Sequence, residues 1–283
     1  MINNLTIDSL ASPLRPLSPT EFNRIKNLVY DRFGLDLREG KEELISARLG
    51  KKIRDLGFKT YSEYLDYVTK ESNGPALAEM VDLLTTNFTS FFREHAHFDF
   101  AKKLLPQLVR EKGRVRMWSA ACSSGEEPYS IAMLCAEEVG PGRVQVVATD
   151  ISNRVLAKAR DGVYATDRLT GIPPDLLPKY FLRGHGVSSG LYRIKPLLTK
   201  DLTFRHLNLM DPYTHEAPFD FIWCRNVMIY FDKPTQERVV KKLSEWLENG
   251  GYLFIGHSEA LTGIDHSLEY VQPAIYRKGR ASR

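Results

Sequence analysis

The residues that most constrain this chain run from Val115 to Tyr129, V-R-M-W-S-A-A-C-S-S-G-E-E-P-Y. Val115–Ser119 reads as a short apolar strand. Six small residues follow, Ala120 to Gly125, and then Glu126-Glu127-Pro128 opens a helix. Pro128 suits the first helical position, which places Glu127 near the N-cap. Small residues after a strand let a ligand approach backbone N–H groups, and a strand, loop and helix N-terminus in that order form a nucleotide-type pocket in an open α/β sheet. The plainer alternative is a helix start with two favourable carboxylates, worth ~0.3–1 kcal/mol each.

The rest of the carboxyl-terminal part supplies the sheet that such a pocket needs. Val144–Thr149 reads as a second strand ending in Asp150, with a helix from Asn153 to Arg160. Phe219–Cys224 is a buried strand, a helix opens at Pro234 and runs to Glu248, Asn249-Gly250-Gly251 breaks it, and Tyr252–Gly256 is a strand. Strands alternating with helices call for a parallel sheet covered on both faces, a doubly wound α/β architecture. A final hairpin is expected from Tyr270 and Ala274–Arg277. Residues 165–200, with Pro173-Pro174, Pro178 and R-G-H-G-V-S-S-G, interrupt the alternation and read as a short helix and β-hairpin inserted before a strand at Leu202–Phe204.

The first 85 residues follow another rule. Residues 1–17 read as a loose leader. Ser18-Pro19-Thr20-Glu21 is a capping box with proline at N1, followed by Phe22, Ile25, Leu28 and Val29 at helical spacing and a stop at Gly34. A second helix is expected over Lys41–Leu56 with a core face of Leu44, Ile45, Leu49, Ile53 and Leu56, then helices near Tyr61–Lys70 and Pro75–Leu84. These residues make a small helical bundle. Arg48, Lys51, Lys52 and Arg54 crowd the non-core side of the second helix. Residues 1–84 hold 12 basic and 13 acidic side chains, so this clustering is local. It is either a solvated face or a docking stripe for an acidic partner.

Composition bounds the function. Of 283 residues, 43% are hydrophobic and 26% charged, as in an ordinary folded protein. No apolar run reaches the ~20 residues of a membrane span, and no basic region precedes an apolar core as in a signal peptide. Three scattered cysteines (Cys122, Cys135, Cys224) suit a reducing cytosol better than a disulfide framework or a zinc site. His95 and His97 lack the spacing and third ligand of a zinc centre, so no metal is expected. A net charge of +4 is too mild to argue for nucleic acid.

Asp150 is placed to accept hydrogen bonds from a ribose diol, yet the G-x-G-x-x-G pattern that a pyrophosphate requires is absent. S-adenosylmethionine, ribose-bearing without a pyrophosphate, fits better than NAD or FAD. Ile222–Phe231, I-W-C-R-N-V-M-I-Y-F, sets Arg225, Asn226 and Tyr230 past the carboxyl end of a central strand, where open sheets bind ligands. A nucleic-acid methyltransferase would share the fold, but C-R-N-V-M-I-Y stands where amino-methylating enzymes carry N-P-P-Y or D-P-P-Y. A cofactor-sensing scaffold without turnover is the non-enzymatic alternative.

The segments T-T-N-F-T-S-F-F-R-E, S-A-A-C-S-S-G-E-E-P-Y-S-I-A, A-T-D-I, F-R-H-L-N-L and C-R-N-V-M-I-Y-F-D together resemble those of bacterial chemotaxis receptor methyltransferases, the CheR-type protein-glutamate O-methyltransferases. The resemblance runs in order from Ser18 to Tyr276. It implies a Rossmann-like methyltransferase domain over 111–276, a β-subdomain inserted near 165–200, a helical receptor-docking domain over 18–85, a junction over 86–110 contributing to the cofactor site, and a basic tail over 277–283. It implies that Asn87, Thr89, Arg93, Glu127, Asp150, Asn208, Leu209, Arg225 and Asn226 line the S-adenosylmethionine site, with Asp150 on the ribose and Asn208 and Leu209 beside the adenine. Arg93 and Tyr230 would face the reacting end, where the substrate glutamate enters. S-adenosylhomocysteine would be the product. Arg48, Lys51, Lys52 and Arg54 would form the receptor-docking stripe, and the β-subdomain binds a carboxyl-terminal tethering pentapeptide in some members. The resemblance implies a cytoplasmic monomer acting on methyl-accepting receptors, without nucleic acid or membrane insertion.

Overall fold

The computed structural model describes residues 14–70, 74–85 and 88–279, and the chain divides into two compact units, residues 1–86 and 87–283. The expected leader falls mostly outside the described residues, as do the last four positions of the basic tail. No helix among the described residues is long and apolar enough to cross a membrane.

Among its described residues the first unit holds four helices: α1 (Pro19–Phe33), α2 (Glu42–Asp55), α3 (Tyr61–Val68) and α4 (Pro75–Leu84). The Ser18–Glu21 capping box forms in full, and Gly34 closes α1 in the left-handed region at φ +70°. Thr60 and Glu63 make a second capping box at the start of α3. Ile25, Val29, Ile45, Leu49 and Ile53 are buried in the core of the bundle. The core face expected for α2 is too wide. Leu44 and Leu56 are 43% and 41% exposed. The apolar stripe of this helix is narrow, confined to Ile45, Leu49 and Ile53.

The second unit opens with α5 (His95–Lys112), β1 (Val115–Ser119), α6 (Glu126–Val139), β2 (Val144–Asp150) and α7 (Asn153–Asp161). Residues 86–110, expected as a junction, therefore carry most of an 18-residue helix with Pro106 inside it. The inserted piece comprises β3 (Val163–Ala165), α8 (Leu176–Tyr180), β4 (Phe181–Arg183) and β5 (Leu191–Ile194). The chain ends in β6 (Leu202–His206), β7 (Phe219–Trp223), α9 (Lys233–Glu245), β8 (Leu247–Phe254), β9 (Leu268–Gln272) and β10 (Ile275–Lys278).

Among the described residues seven strands form one sheet in the order β6-β2-β1-β7-β8-β10-β9, with β6 through β8 mutually parallel and the last two pairings antiparallel. From β1 the chain steps to β2 and β6 on one side and to β7 and β8 on the other. The crevice at the carboxyl ends of β1 and β7 is thus the switch point, where open sheets hold ligands. β7 is buried along its whole length, as a central parallel strand must be. Its Trp223 stacks on Phe254 at 4.4 Å between ring centroids, and Phe98 of α5 lies 4.8 Å from Trp223. The Asn249-Gly250-Gly251 stretch does not end α9 before the strand, as expected. It lies within β8, and the register shift between Phe219 and Phe221 absorbs it. The insertion is a three-stranded antiparallel sheet, β3-β5-β4, rather than a lone hairpin.

Candidate functional site

The loop between β1 and α6 turns on Gly125, whose φ of +99° makes it the helix N-cap, so Glu126 and not Pro128 is the first helical residue. A Cβ at Gly125 would stand 2.8 Å from the Tyr164 hydroxyl and 3.1 Å from the Ala159 backbone, which excludes a side chain. Burying the helix start against α7 favours this earlier turn over the one the proline suggested. Ser123, at φ +48°, donates its backbone N–H to Asp150 Oδ2 at 2.8 Å, and the Ser152 N–H donates to Oδ1 at 3.0 Å. Asp150 thus fixes the small-residue loop.

Asn208 and Leu209 lie just beyond β6. The Leu207 N–H donates to the Asp150 carbonyl at 3.0 Å, and Asn208 Oδ1 accepts from the Met210 N–H at 3.0 Å. Lys242 donates to the carbonyls of Leu209, Met210 and Asp211 at 3.3, 2.7 and 3.1 Å. Asp150, Asn208 and Leu209 are therefore held on adjoining strand ends.

A second group gathers around Arg225, whose side chain is 2% exposed. Its Nη1 lies 3.1 Å from Glu127 Oε2, its Nη2 lies 3.1 Å from Glu94 Oε2, and Nη2 also donates to the Arg93 carbonyl. Ser119 Oγ donates to Glu127 Oε1 at 2.7 Å, and Asn226 Nδ2 donates to Glu94 Oε1 at 3.3 Å. Burial opposes the charge on Glu94, but Arg225, the His257 N–H and Asn226 outweigh it and hold that carboxyl below its ordinary range. On Glu127 burial wins and raises the carboxyl, against the pull of Arg225. Arg93 itself donates to the Phe88 carbonyl at 3.1 Å and keeps a third of its side chain exposed. Tyr230 closes a short turn that Glu259 secures by accepting from the N–H groups of Asn226 at 3.0 Å and Ile229 at 3.2 Å.

Five non-glycine residues among those described have a positive φ: Phe92, Glu94, Ser123, Asn226 and Ala274. Four of them fall in these site segments, where strained backbone is characteristically concentrated. Asn87 lies outside the described residues. The side chains of Arg93, Glu127, Arg225 and Asn226 share one network with Glu94, and Thr89 lies on the segment leading into it. Glu94 and Glu259 were not singled out in the sequence. An acidic residue directly after Phe91-Phe92-Arg93, in so apolar a segment, was the available signal for Glu94.

Glu94, His97 and His257 offer three potential metal-ligand atoms within 4.8 Å of one another. Glu94 is committed to Arg225, and a guanidinium at 3.1 Å opposes a divalent cation in the same place. The fit to S-adenosylmethionine is better. Asp150 suits the ribose, buried Leu209 suits an adenine face, and the mixture of Glu94, Glu127, Arg225 and Arg93 suits a zwitterionic amino-acid end beside a cationic sulfur.

In the first unit, Arg48 donates to the Leu84 carbonyl and Lys52 pairs with Glu79 at 2.8 Å, whereas Lys51 and Arg54 are exposed. Leu44, Arg48 and Lys51 recur at i, i+4 and i+7 and so share one helix face.

The family described as CheR methyltransferase, SAM binding domain, matches residues 87–276, and the CheR methyltransferase all-alpha domain matches residues 20–85. The chain is 41% identical to the chemotaxis protein methyltransferase of Borreliella burgdorferi over 93% of this chain and 95% of that one. It is 40% identical to the chemotaxis protein methyltransferase of Escherichia coli over 92% and 91%. Among solved structures, the N-methyltransferase NodS from Bradyrhizobium japonicum in complex with S-adenosylhomocysteine gives a TM-score of 0.32 at 12% identity, covering 56% of this chain and 59% of that one. The two domain matches and the near full-length relatives place this chain in the CheR family of S-adenosylmethionine-dependent methyltransferases.

Proposed function

We propose that this enzyme methylates glutamate side chains on methyl-accepting chemotaxis receptors in the cytoplasm. The observation that carries the reading is the unequal state of two arginines. Arg225 is buried and already paired with Glu94 and Glu127, whereas Arg93 is a third exposed and approaches Glu94 only at 3.9 Å. Arg93 is thus the guanidinium with capacity to meet an incoming carboxylate.

Bound S-adenosylmethionine supplies an activated methyl group on a sulfonium. A substrate glutamate with a pKa of ~4.3 is ionised at pH 7, so the protein need not provide a strong base. Opposite charges neutralise as the reaction proceeds, so the residues contribute mainly by aligning the reactants. Arg93 and Tyr230 orient the carboxylate. Arg93 must do so loosely, because a tight ion pair would stabilise the ground state and slow the step. Thr89, Glu127, Asp150, Asn208, Leu209, Arg225 and Asn226, with Asn87, hold the cofactor.

The first unit serves as the receptor-docking module through Arg48, Lys51, Lys52 and Arg54, supported by the exposed Leu44 on the same face. The inserted sheet exposes β4 as an edge strand, a geometry that accepts an extended peptide by strand addition. A tethering pentapeptide at the receptor carboxyl end would bind there.

The test is methyl transfer from labelled S-adenosylmethionine to a receptor cytoplasmic fragment, followed by mild base. Carboxyl esters release the label as methanol. Base-stable label would rule out glutamate as the acceptor. The same fragment without its last five residues should be methylated more slowly at low concentration if tethering operates.

A further inference from the structure

The inserted sheet does more than extend from the domain surface. It forms a wall against which the segment bearing Thr89 and Arg93 rests. Phe91 packs edge-on to Tyr164 of β3 at 5.0 Å and to Phe181 of β4 at 5.7 Å. Gly171, at φ +94°, comes so close to this segment that a Cβ there would lie 2.6 Å from the Phe91 carbonyl oxygen. The Tyr164 hydroxyl donates to the Ser124 carbonyl at 2.8 Å, in the loop before α6.

Arg168 joins these contacts. It stands on a single 3₁₀ turn, Thr166–Leu169, directly after β3. Its Nη2 donates to the Thr89 carbonyl at 3.2 Å and to Glu126 Oε1. Glu126 is completely buried at the first position of α6, where a lone carboxylate would carry a large desolvation cost. Arg168 is the cation that pairs with Glu126, whose other oxygen accepts from Ser124 Oγ at 2.7 Å, and the same Nη2 reaches the backbone two residues before Phe91. One side chain spans the insertion, the small-residue loop and the approach to Arg93.

We infer that Arg168 is a positioning residue: it couples the inserted sheet to the cofactor-binding and substrate-orienting segment 88–94, so that the state of the sheet is transmitted to the reacting end. The inference rests on the placement of Thr89 and Arg93 at the site made under the proposed function. Lysine can neutralise Glu126 but lacks the two fixed in-plane N–H groups by which Nη2 meets both acceptors at once. Charge compensation and positioning can therefore be separated.

The experiment compares the parent with Arg168→Lys, Arg168→Ala and Thr89→Val. Its readouts are calorimetric affinity for S-adenosylhomocysteine, melting temperature, and hydrogen exchange across residues 88–94. Arg168→Lys is expected to melt near the parent yet exchange faster over 88–94 and bind S-adenosylhomocysteine about tenfold more weakly, as a displaced binding segment would. Arg168→Ala is expected to show both losses and a lower melting temperature, and if it fails to fold the lysine variant decides. Parent-like exchange and affinity in Arg168→Lys would overturn the inference. Affinity unchanged in Arg168→Lys but lost in Thr89→Val would likewise overturn it while leaving the site assignment intact. Affinity unchanged in both variants would overturn the site assignment on which the inference depends.

Discussion

Arg225 and Glu94 are 131 positions apart in sequence and meet at 3.1 Å, the guanidinium of one against Oε2 of the other, with Glu127 at the same distance on the far side. Removing the arginine alone leaves two carboxylates facing each other in a largely buried site. Arg225→Met should cost about 3–5 kcal/mol in urea unfolding at pH 7, the usual loss when one partner of a buried ion pair is deleted. Much of the loss should return at pH 4.5, where the carboxyls accept protons. A loss below 1 kcal/mol at pH 7 would show that the network is solvated and not the organising contact of the site.

Asp150 has a structural task besides its proposed hold on the ribose, since it accepts from the N–H groups of Ser123 and Ser152. Asp150→Asn keeps the shape but turns one acceptor into a donor facing an N–H. Affinity for S-adenosylhomocysteine should fall about 10–100-fold, equivalent to one or two charge-assisted hydrogen bonds. Circular dichroism should remain that of the parent. Parent-like affinity would remove Asp150 from the binding site.

The legibility of the chain depended on how local each signal was. The alternation from Val115 to Gly256 predicted the parallel sheet, because buried parallel strands are short apolar runs. The Ser18 capping box fixed the start of α1 because all its partners lie within three residues. Sequence alone misplaces the start of α6 because Pro128 is a local signal, whereas the turn at Gly125 is set by Tyr164 and Ala159, 39 and 34 residues away. α5 was hidden by Pro106 and by a first turn of mixed histidine and phenylalanine. Arg93 and Arg225 stood out in their segments, but Glu94, Glu126 and Arg168 acquire meaning only through partners more than 40 residues distant. Spacing along one element cannot reveal such pairs.

His97 is fully buried against Trp223, Phe254 and His257, and neither ring nitrogen has a hydrogen-bond partner. Burial, with Arg225 adding to it, pushes its pKa down from 6.5 to about 3. The folded protein resists a proton that the unfolded chain accepts below pH 6.5. Stability contributed by the neutral ring is therefore present above 6.5 and is lost as pH falls from 6.5 towards 3. The slope approaches 1.4 kcal/mol per pH unit. Glu127 and Glu259, whose carboxyls burial raises, act with the opposite sign. The informative quantity is thus the difference between the parent and His97→Phe. Between pH 6.5 and 5 the parent should lose about 1–2 kcal/mol more than the variant in urea unfolding. Parallel curves would mean that the ring takes up its proton without unfolding.

The basic stripe on α2 divides into two pairs. Arg48 is engaged by the Leu84 carbonyl and Lys52 by Glu79, so their removal perturbs the bundle as well as its surface. Lys51 and Arg54 are exposed and test docking more cleanly. Lys51→Glu with Arg54→Glu should raise the KM for a receptor fragment about tenfold at low salt, while kcat and S-adenosylhomocysteine affinity stay at parent values. The difference should shrink as ionic strength rises and the Debye length falls towards ~8 Å at 0.15 M. Arg48→Ala and Lys52→Ala should raise KM less and lower the melting temperature slightly, in keeping with the ~0–1 kcal/mol of a surface pair. Leu44 is exposed on the same face, so under the docking proposal Leu44→Ala should raise KM in a way that salt does not alter. If charge reversal at Lys51 and Arg54 leaves KM unchanged at every salt concentration, the stripe is a solvated helix face, and the receptor must reach the enzyme elsewhere.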